Sequence, residues 1–202
     1  HPHERLLRIR QLRRGEREVR AVRGQDGQAG VRHAHQGDTR LAGEVSVEDL
    51  RARHELAQQV LSRVSEANEA VILSRDVKEQ VDARLEQTDH ARIEEVGTRV
   101  KNKVSDVEDN IYQVRNRSGQ DPLNYPIMLN NKLASLLGLI ERGEYRPTDQ
   151  MYEVFTSLST QLDQELNALN VIIATDLAEL NRLLREQGLE VIQPPQRGDI
   201  TT

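Results

Sequence analysis

One long amphipathic helix between Thr148 and Gly188 constrains the fold of this chain more than any other stretch. Its apolar residues follow one another at steps of three or four, and after the first of them the pattern returns every eleven residues. Eleven residues over three turns is about 3.67 per turn, which is typical of a nearly straight helix, whereas a strict heptad winds left-handed. The other face is polar, so this helix needs partners along its whole length. The apolar positions are Met151, Phe155, Leu158, Leu162, Leu166, Leu169, Ile173, Leu177, Leu180 and Leu184.

A first helix is predicted to begin at Ser46. Ser46 offers a capping side chain and Asp49 an acid three residues later, which is an imperfect capping box. Neither glycine nor proline occurs from Leu50 to Leu85, so the helix is expected to continue to about residue 87. Its predicted apolar seam consists of Leu50, Leu56, Ala57, Val60, Leu61, Val64, Ala67, Val71, Val77, Val81 and Leu85.

The second and third helices follow from similar patterns. In the second, apolar residues again recur every eleven positions, and Gly97 is expected to weaken the helix by about 1 kcal/mol relative to alanine. One glycine and two prolines between residues 118 and 126 then interrupt the helical pattern. The predicted seams consist of Ile93, Val96, Val100, Val104, Val107, Ile111 and Val114 in the second helix, and of Ile127, Leu129, Leu133, Leu136, Leu137 and Ile140 in the third.

These patterns predict an all-α fold. Short connections favour antiparallel neighbours, so the expected architecture is an elongated antiparallel four-helix bundle or coiled coil with a mostly disordered, Arg-rich N-terminal tail. The predicted segments are a tail at 1–45, a helical part at 46–192 and a second disordered tail at 193–202. Within the helical part, the predicted helices span about 46–87, 89–117, 126–142 and 148–187.

Composition agrees with a narrow apolar seam. Aromatic residues make up 2% of the chain and charged residues 30%, which is poor material for a compact α/β enzyme. The chain has no cysteine, which excludes disulfides and Cys-ligated metal sites. Residues 1–43 hold ten Arg, no Lys and five acids, a net charge of +5. Because the whole chain is −5, residues 44–202 carry −10.

Three interpretations of the Arg-rich residues 1–43 remain open. They could form a solvated disordered tail, an arm that binds nucleic-acid phosphates, or a stretch translated out of frame from GC-rich DNA. The absence of aromatic residues for base stacking speaks against the arm. Two His pairs, at positions 1 and 3 and at positions 33 and 35, have no third ligand at suitable spacing, so no metal site is predicted.

A family resemblance is carried by Tyr112 to Pro126, Tyr-Gln-Val-Arg-Asn-Arg-Ser-Gly-Gln-Asp-Pro-Leu-Asn-Tyr-Pro, and by Leu-Asn-Asn-Lys-Leu-Ala at 129–134. These residues resemble the C-terminal helical region of bacterial BNR-repeat, sortilin-like (VPS10-type) β-propeller proteins, which are often labelled glycosyl hydrolases. Residues 47–50, 65–71 and 150–155 are similar to that region too, and the resemblance covers about 46–192. It implies a secreted or periplasmic parent whose propeller precedes the helices. The start of this chain shows no signal-peptide pattern, and no position matches a catalytic residue of the family.

The favoured hypothesis is a non-catalytic helical interaction or assembly module. Its expected partner is the missing upstream β-propeller or a second chain, bound through the helical seams. Alternatives are a fragment of a glycoside hydrolase, which needs two carboxylates across a cleft, and an Arg-tailed nucleic-acid binder. Catalytic residues, cofactors and metals are not predicted, the acids of the second helix are expected on a solvated face, and no apolar run suggests a membrane span. The candidate interaction loop comprises Asp121, Asn124, Tyr125, Asn130 and Asn131.

Overall fold

The structure, a computed structural model, describes residues 45–114, 125–143 and 145–195. In these ranges the chain is helical and contains no strand, which confirms the all-α prediction. Nearly all of the predicted N-terminal tail lies outside the described residues. The helices are α1 (Val47–Leu85), α2 (Ala91–Ile111), α3 (Leu129–Arg142), α4 (Asp149–Ile172) and α5 (Ala178–Glu186), with a π-helical turn (Ile173–Leu177) joining α4 to α5.

The longest helix, α1, begins with the predicted capping box. The Asp49 amide donates to Ser46 Oγ at 3.0 Å, and the Ser46 amide donates to Asp49 Oδ2 at 3.3 Å. Both bonds satisfy amides that the first turn of a helix leaves without partners. At about 1.5 Å per residue, the 39 residues of α1 extend about 58 Å, so α1 is long enough to receive two helices in succession.

The C-terminal half of α1 packs against α2. Lys101 forms an ion pair with Asp82, and Glu108 forms one with Arg75 at 2.7 Å. Positions later in α2 therefore lie beside positions earlier in α1, so the two helices are antiparallel. By this register, the end of α2 lies near the middle of α1.

The N-terminal half of α1 packs against α3. Asn130 Nδ2 donates to Asn68 Oδ1 at 2.5 Å, and the Arg53 guanidinium donates to the Gly143 carbonyl. Thus α3 is also antiparallel to α1 and begins near the level where α2 ends. The chain continues past the middle of α1 in the same direction instead of reversing.

The last long helix, α4 with its continuation α5, runs in the same direction as α1. Arg63 pairs with Asp163, and residues further along α1 lie beside residues further along α4, as Leu73 does beside Leu169. Three helices therefore surround each level of the core: α1, α4–α5, and either α2 or α3. Short connections predicted antiparallel neighbours. This prediction is wrong for α1 and α4, because the connection between α2 and α3 does not reverse the chain.

The core is apolar and follows most of the predicted seams. Leu50 and Leu61 are exceptions, since both were predicted in the seam of α1 and both are exposed. Val114 and Ile127 are exposed as well, because they lie beyond the ends of α2 and α3. Among the largest fully buried side chains are Leu56, Ile93, Ile111, Leu133, Ile140, Leu162, Leu169, Leu177, Leu180, Leu184 and Ile192.

The π-helical turn changes the phase of the last long helix. Ile172 and Leu177 are both buried although they are five residues apart, while Ile173, the predicted seam residue, is only half-buried. A π-helical turn contains one residue more than an α-helical turn, which rotates everything that follows. The eleven-residue repeat could not reveal this insertion, because residues 171–173 are all β-branched and apolar.

Two helix ends differ from the predictions. Helix α2 stops at Ile111, not at 117, because Tyr112 is extended (φ −131°, ψ 140°). Helix α3 starts at Leu129, not at 126, and the Pro126 carbonyl accepts a hydrogen bond from Gln113 Nε2 at 3.0 Å. This side-chain bond ties the two ends of the connection together at the point where the chain passes from α2 to α3.

After α5 the chain turns back along α1. Gly188 has φ +71°, and the Leu189 amide donates to the Leu184 carbonyl at 2.9 Å, which is the Schellman pattern at a helix end. The amide of Gln193 then donates to Gln80 Oε1 at 3.0 Å. Residue 193 was predicted to begin a disordered tail, but the segment to Pro195 packs on the helices because side-chain amides bind its backbone.

Candidate interaction surface

The outward face of α1 carries a row of exposed apolar side chains. Leu50, Leu61 and Ile72 are separated by eleven residues each and are 42%, 44% and 39% exposed. They lie on the side of α1 opposite to its buried residues, as their positions on a helix of 3.6 residues per turn require. Val47, one turn before the first of them, is exposed as well. We call Leu50, Leu61 and Ile72 the outer row.

Two charged residues lie on one flank of the outer row. Arg51 and Glu69 are eighteen residues apart, which is about five helical turns, so they occupy the same line along α1. Neither side chain forms a hydrogen bond or an ion pair with the described part of the chain. The row is therefore flanked by one cation and one anion that form no pair within the described residues.

Further exposed apolar side chains are found where α3 ends and α4 begins. Their position is close to the start of α1, because Arg53 of α1 binds the carbonyl at the end of α3. An open depression of about 340 Å³ lies at this level and is lined by residues that include Arg53, His54 and Glu141. The exposed apolar residues of this region are Leu139, Tyr145, Tyr152 and Val154.

Three of the five residues of the predicted interaction loop lie within the described part of the chain. Asp121 and Asn124 lie outside it, and Tyr125 is half-buried. Asn130 and Asn131 belong to the first turn of α3 and are half-buried, and the Asn130 side chain binds Asn68. In these two residues the sequence pattern marks a helix start, and Asn130 attaches that start to α1.

The acids of α2 were expected on a solvated face, but Glu108 is buried and this expectation was wrong for it. Its carboxylate accepts hydrogen bonds from Arg75 Nε at 2.7 Å and from Lys78 Nζ. Burial raises the pKa of the Glu108 carboxyl, and the Lys78 and Arg75 charges lower this pKa by more, so it lies below its ordinary value. The Arg75 guanidinium also lies over the Tyr112 ring, 5.2 Å from its centroid.

A second buried acid, Asp176, is located in the π-helical turn. Its carboxylate accepts hydrogen bonds from Arg99 Nε at 3.0 Å and from Lys103 Nζ at 2.8 and 2.9 Å. Burial raises the pKa of Asp176, but hydrogen bonding and charge from Lys103, with Arg99, bring this pKa below its ordinary value. π-helical turns often occur at functional sites, yet here the turn directs an acid toward two bases of α2. The cluster joins two helices through a satisfied ion pair.

One cavity, between α1 and α4, has a volume of about 30 Å³, which is room for about one water molecule. No group of three His, Asp or Glu side chains in the described ranges is placed to hold a metal ion. None of the described helices is long and apolar enough to cross a membrane. The surface, with its outer row, is therefore the most distinctive candidate site.

Sequence reasoning missed the outer row because it assigned Leu50 and Leu61 to the core. A signal was present: α1 has more apolar residues than a single face can hold, and Leu50, Leu61 and Ile72 share the eleven-residue spacing of the other seams. The partners of Glu108 and Asp176 could not be found in this way, since they depend on the register between helices.

Comparison with known proteins adds no relative. No protein-family description, no curated protein and no solved structure matches this chain. The resemblance to the helical region of sortilin-like proteins therefore stays a prediction that rests on the residues quoted for it.

Proposed function

We propose that this chain is a non-catalytic helical assembly module that associates with a second copy of itself. The observation that carries the proposal is the outer row of α1, which the core does not use. Exposed apolar residues scattered singly are ordinary on protein surfaces, but a row that repeats with a helical period fits another helix lying along it. The chain already packs its own helices with this same period.

The distribution of charge supports an assembly role. The buried acids among the described residues, Glu108 and Asp176, bind bases of neighbouring helices. They thereby fix the register between helices. We accordingly assign these ionised groups to holding the helices together, and the partner-binding surface to α1.

A second copy fits better than a β-propeller as the occupant of this surface. The surface is narrow, helical and regularly spaced, whereas the edge or face of a propeller blade presents strands with a spacing of two residues. A contact along one helix is small, so we expect weak association in the micromolar range. The upstream propeller that the resemblance implies remains an alternative occupant, which the experiment below separates from a second copy.

Sedimentation equilibrium of the full chain tests the proposal. We expect a mass that rises with concentration from 23.0 kDa toward twice that value. Added salt should change the association only modestly, because most of the proposed contact is apolar. A mass that stays at the monomer value at every concentration would overturn the proposal.

A further inference from the structure

We infer that the two copies pair through the outer faces of their α1 helices, antiparallel, about a two-fold axis that passes beside Leu61. The inference rests on the proposed function, self-association, and specifies its surface and orientation. Two-fold contacts are the commonest in homo-oligomers and use the same patch on both subunits. The outer row meets this requirement because it is symmetric in sequence about its central residue.

The apolar residues match each other in this arrangement. Leu50 and Ile72 each lie eleven residues from Leu61 on the same face of α1. A two-fold axis at Leu61 therefore places Leu50 opposite the partner's Ile72, and Leu61 against itself. Successive contacts are about 16 Å apart along the helix, since eleven residues rise about 1.5 Å each.

The charges favour the antiparallel orientation over the parallel one. Arg51 and Glu69 lie on the same flank of the outer row, and a two-fold axis brings identical flanks of the two helices together. Arg51 thereby comes within reach of the partner's Glu69, and this pair occurs twice in the dimer. A parallel, in-register pair would instead put the same flank of the two helices on opposite sides of the contact, so Arg51 and Glu69 would gain no oppositely charged partner from each other.

The position of the row also allows the approach of a second helix. α2 and α3 contact one side of α1 and α4 contacts another, and the three residues of the outer row remain 39–44% exposed. The row extends from Leu50 to Ile72, which is more than half of the 39 residues of α1. A second copy lying there would not have to displace a helix of the described part of the first.

Glutamate substitution at the centre of the row is the first test. Leu61→Glu places two carboxylates against each other at the two-fold axis, so we expect the dimer to dissociate by sedimentation equilibrium. Val171→Glu is the matched control, because Val171 is exposed on α4 outside the row and should leave the dimer intact. Circular dichroism checks that both variants remain helical. If Leu61→Glu stays dimeric like the unsubstituted chain, α1 pairing is overturned while the proposed function stands.

Disulfide cross-linking separates the orientations, and the chain offers a clean background because it has no cysteine. With oxidised glutathione as oxidant, Leu61→Cys should cross-link two copies, and Leu50→Cys alone should not. The double variant Leu50→Cys/Ile72→Cys should cross-link, because the thiol at position 50 of one copy lies opposite the thiol at position 72 of the other. Efficient cross-linking of Leu50→Cys alone would indicate a parallel pair and overturn the inference.

Charge reversal gives an independent measurement. Arg51→Glu and Glu69→Arg should each weaken association several-fold, because each places like charges together twice. The double reversal should restore association to near the original strength, since it exchanges the two members of the pair. Additive weakening in the double variant would contradict the proposed contact. A monomeric unsubstituted chain, in contrast, would overturn the proposed function itself.

Discussion

Replacing Glu108 with glutamine tests whether a buried ion pair fixes the packing of α2 on α1. The Glu108 side chain is 3% exposed and accepts a hydrogen bond from Arg75 Nε at 2.7 Å and another from Lys78. Glutamine preserves the shape of the side chain but removes its charge, and its NH₂ group cannot accept a bond from either cation. The substitution thus removes the charge without opening a cavity.

The expected cost follows from the exposure of the three groups. Removing one member of a fully buried ion pair costs about 3–5 kcal/mol, because the remaining charge is left buried without a partner. Here the Arg75 side chain is 54% exposed and that of Lys78 is 25% exposed, so both cations regain hydration. We therefore expect a loss of about 2 kcal/mol in the free energy of unfolding at pH 7. The corresponding fall in melting temperature is about 6 °C.

The pH dependence identifies the charge as the cause. The folded pKa of Glu108 lies below its ordinary value of about 4.3, so its contribution to stability is complete above that value and disappears as pH falls through the folded pKa. Urea unfolding of both proteins from neutral to acidic pH should show a constant difference down to the ordinary pKa. Below it the difference should shrink. The matched control is Glu95→Gln, whose carboxylate pairs with Arg92 but is 61% exposed, and we expect only a small effect.

A difference between Glu108→Gln and the unsubstituted protein that stays the same at all pH values would refute this reasoning. It would mean that the loss comes from steric or hydrogen-bond effects and not from ionisation. An equal loss in Glu95→Gln would also refute it, since burial would then have no influence on the strength of the pair.

Three further predictions concern the packing of the backbone. Gly97→Ala should reduce the free energy of unfolding by about 1 kcal/mol in urea titrations, because the new Cβ would lie 2.9 Å from Leu85 Cδ2 and 3.3 Å from Cγ1 of the buried, β-branched Val81. The cost of this overpacking exceeds the gain in helix propensity. Gly188→Ala should cost about 1–2 kcal/mol by the same measurement, because its φ of +71° is strained for alanine although the space is open. Asn181→Ala should speed amide hydrogen exchange at Ile192 about tenfold, since it removes the bonds at 2.8 and 2.9 Å that hold this backbone.

The apolar periods predicted the helices because burial imposes the helical repeat directly on the sequence. In α2 the seam from Ile93 to Ile111 is buried as predicted. The direction of the helices could not be obtained in this way. The direction of α3 depends on whether the connection from Ile111 to Leu129 reverses the chain. Proline and glycine residues interrupt a helix in either case, so their presence does not predict a reversal.

Gly97 has a role in the packing of two helices that its helix propensity alone does not reveal. As a helix residue it counts as a weakness, but in the structure it is buried where α2 approaches Leu85 and Val81 of α1. The missing side chain permits this close approach. Helix propensity is only a weak guide at a position where two helices meet, because packing overrides it.

The candidate surface was hidden in the sequence for a related reason. A helix that is apolar on two sides has a periodic sequence pattern that does not show which side faces the core. In α1 the heptad through Leu50 and Val64 is as regular as the buried row through Val60 and Ala67. Only the positions of α2, α3 and α4 decide between them. The outer row, which faces solvent, has the same eleven-residue spacing as the buried seams. Independent surface residues have no reason to follow the period of a helix contact, whereas residues that meet a second helix do.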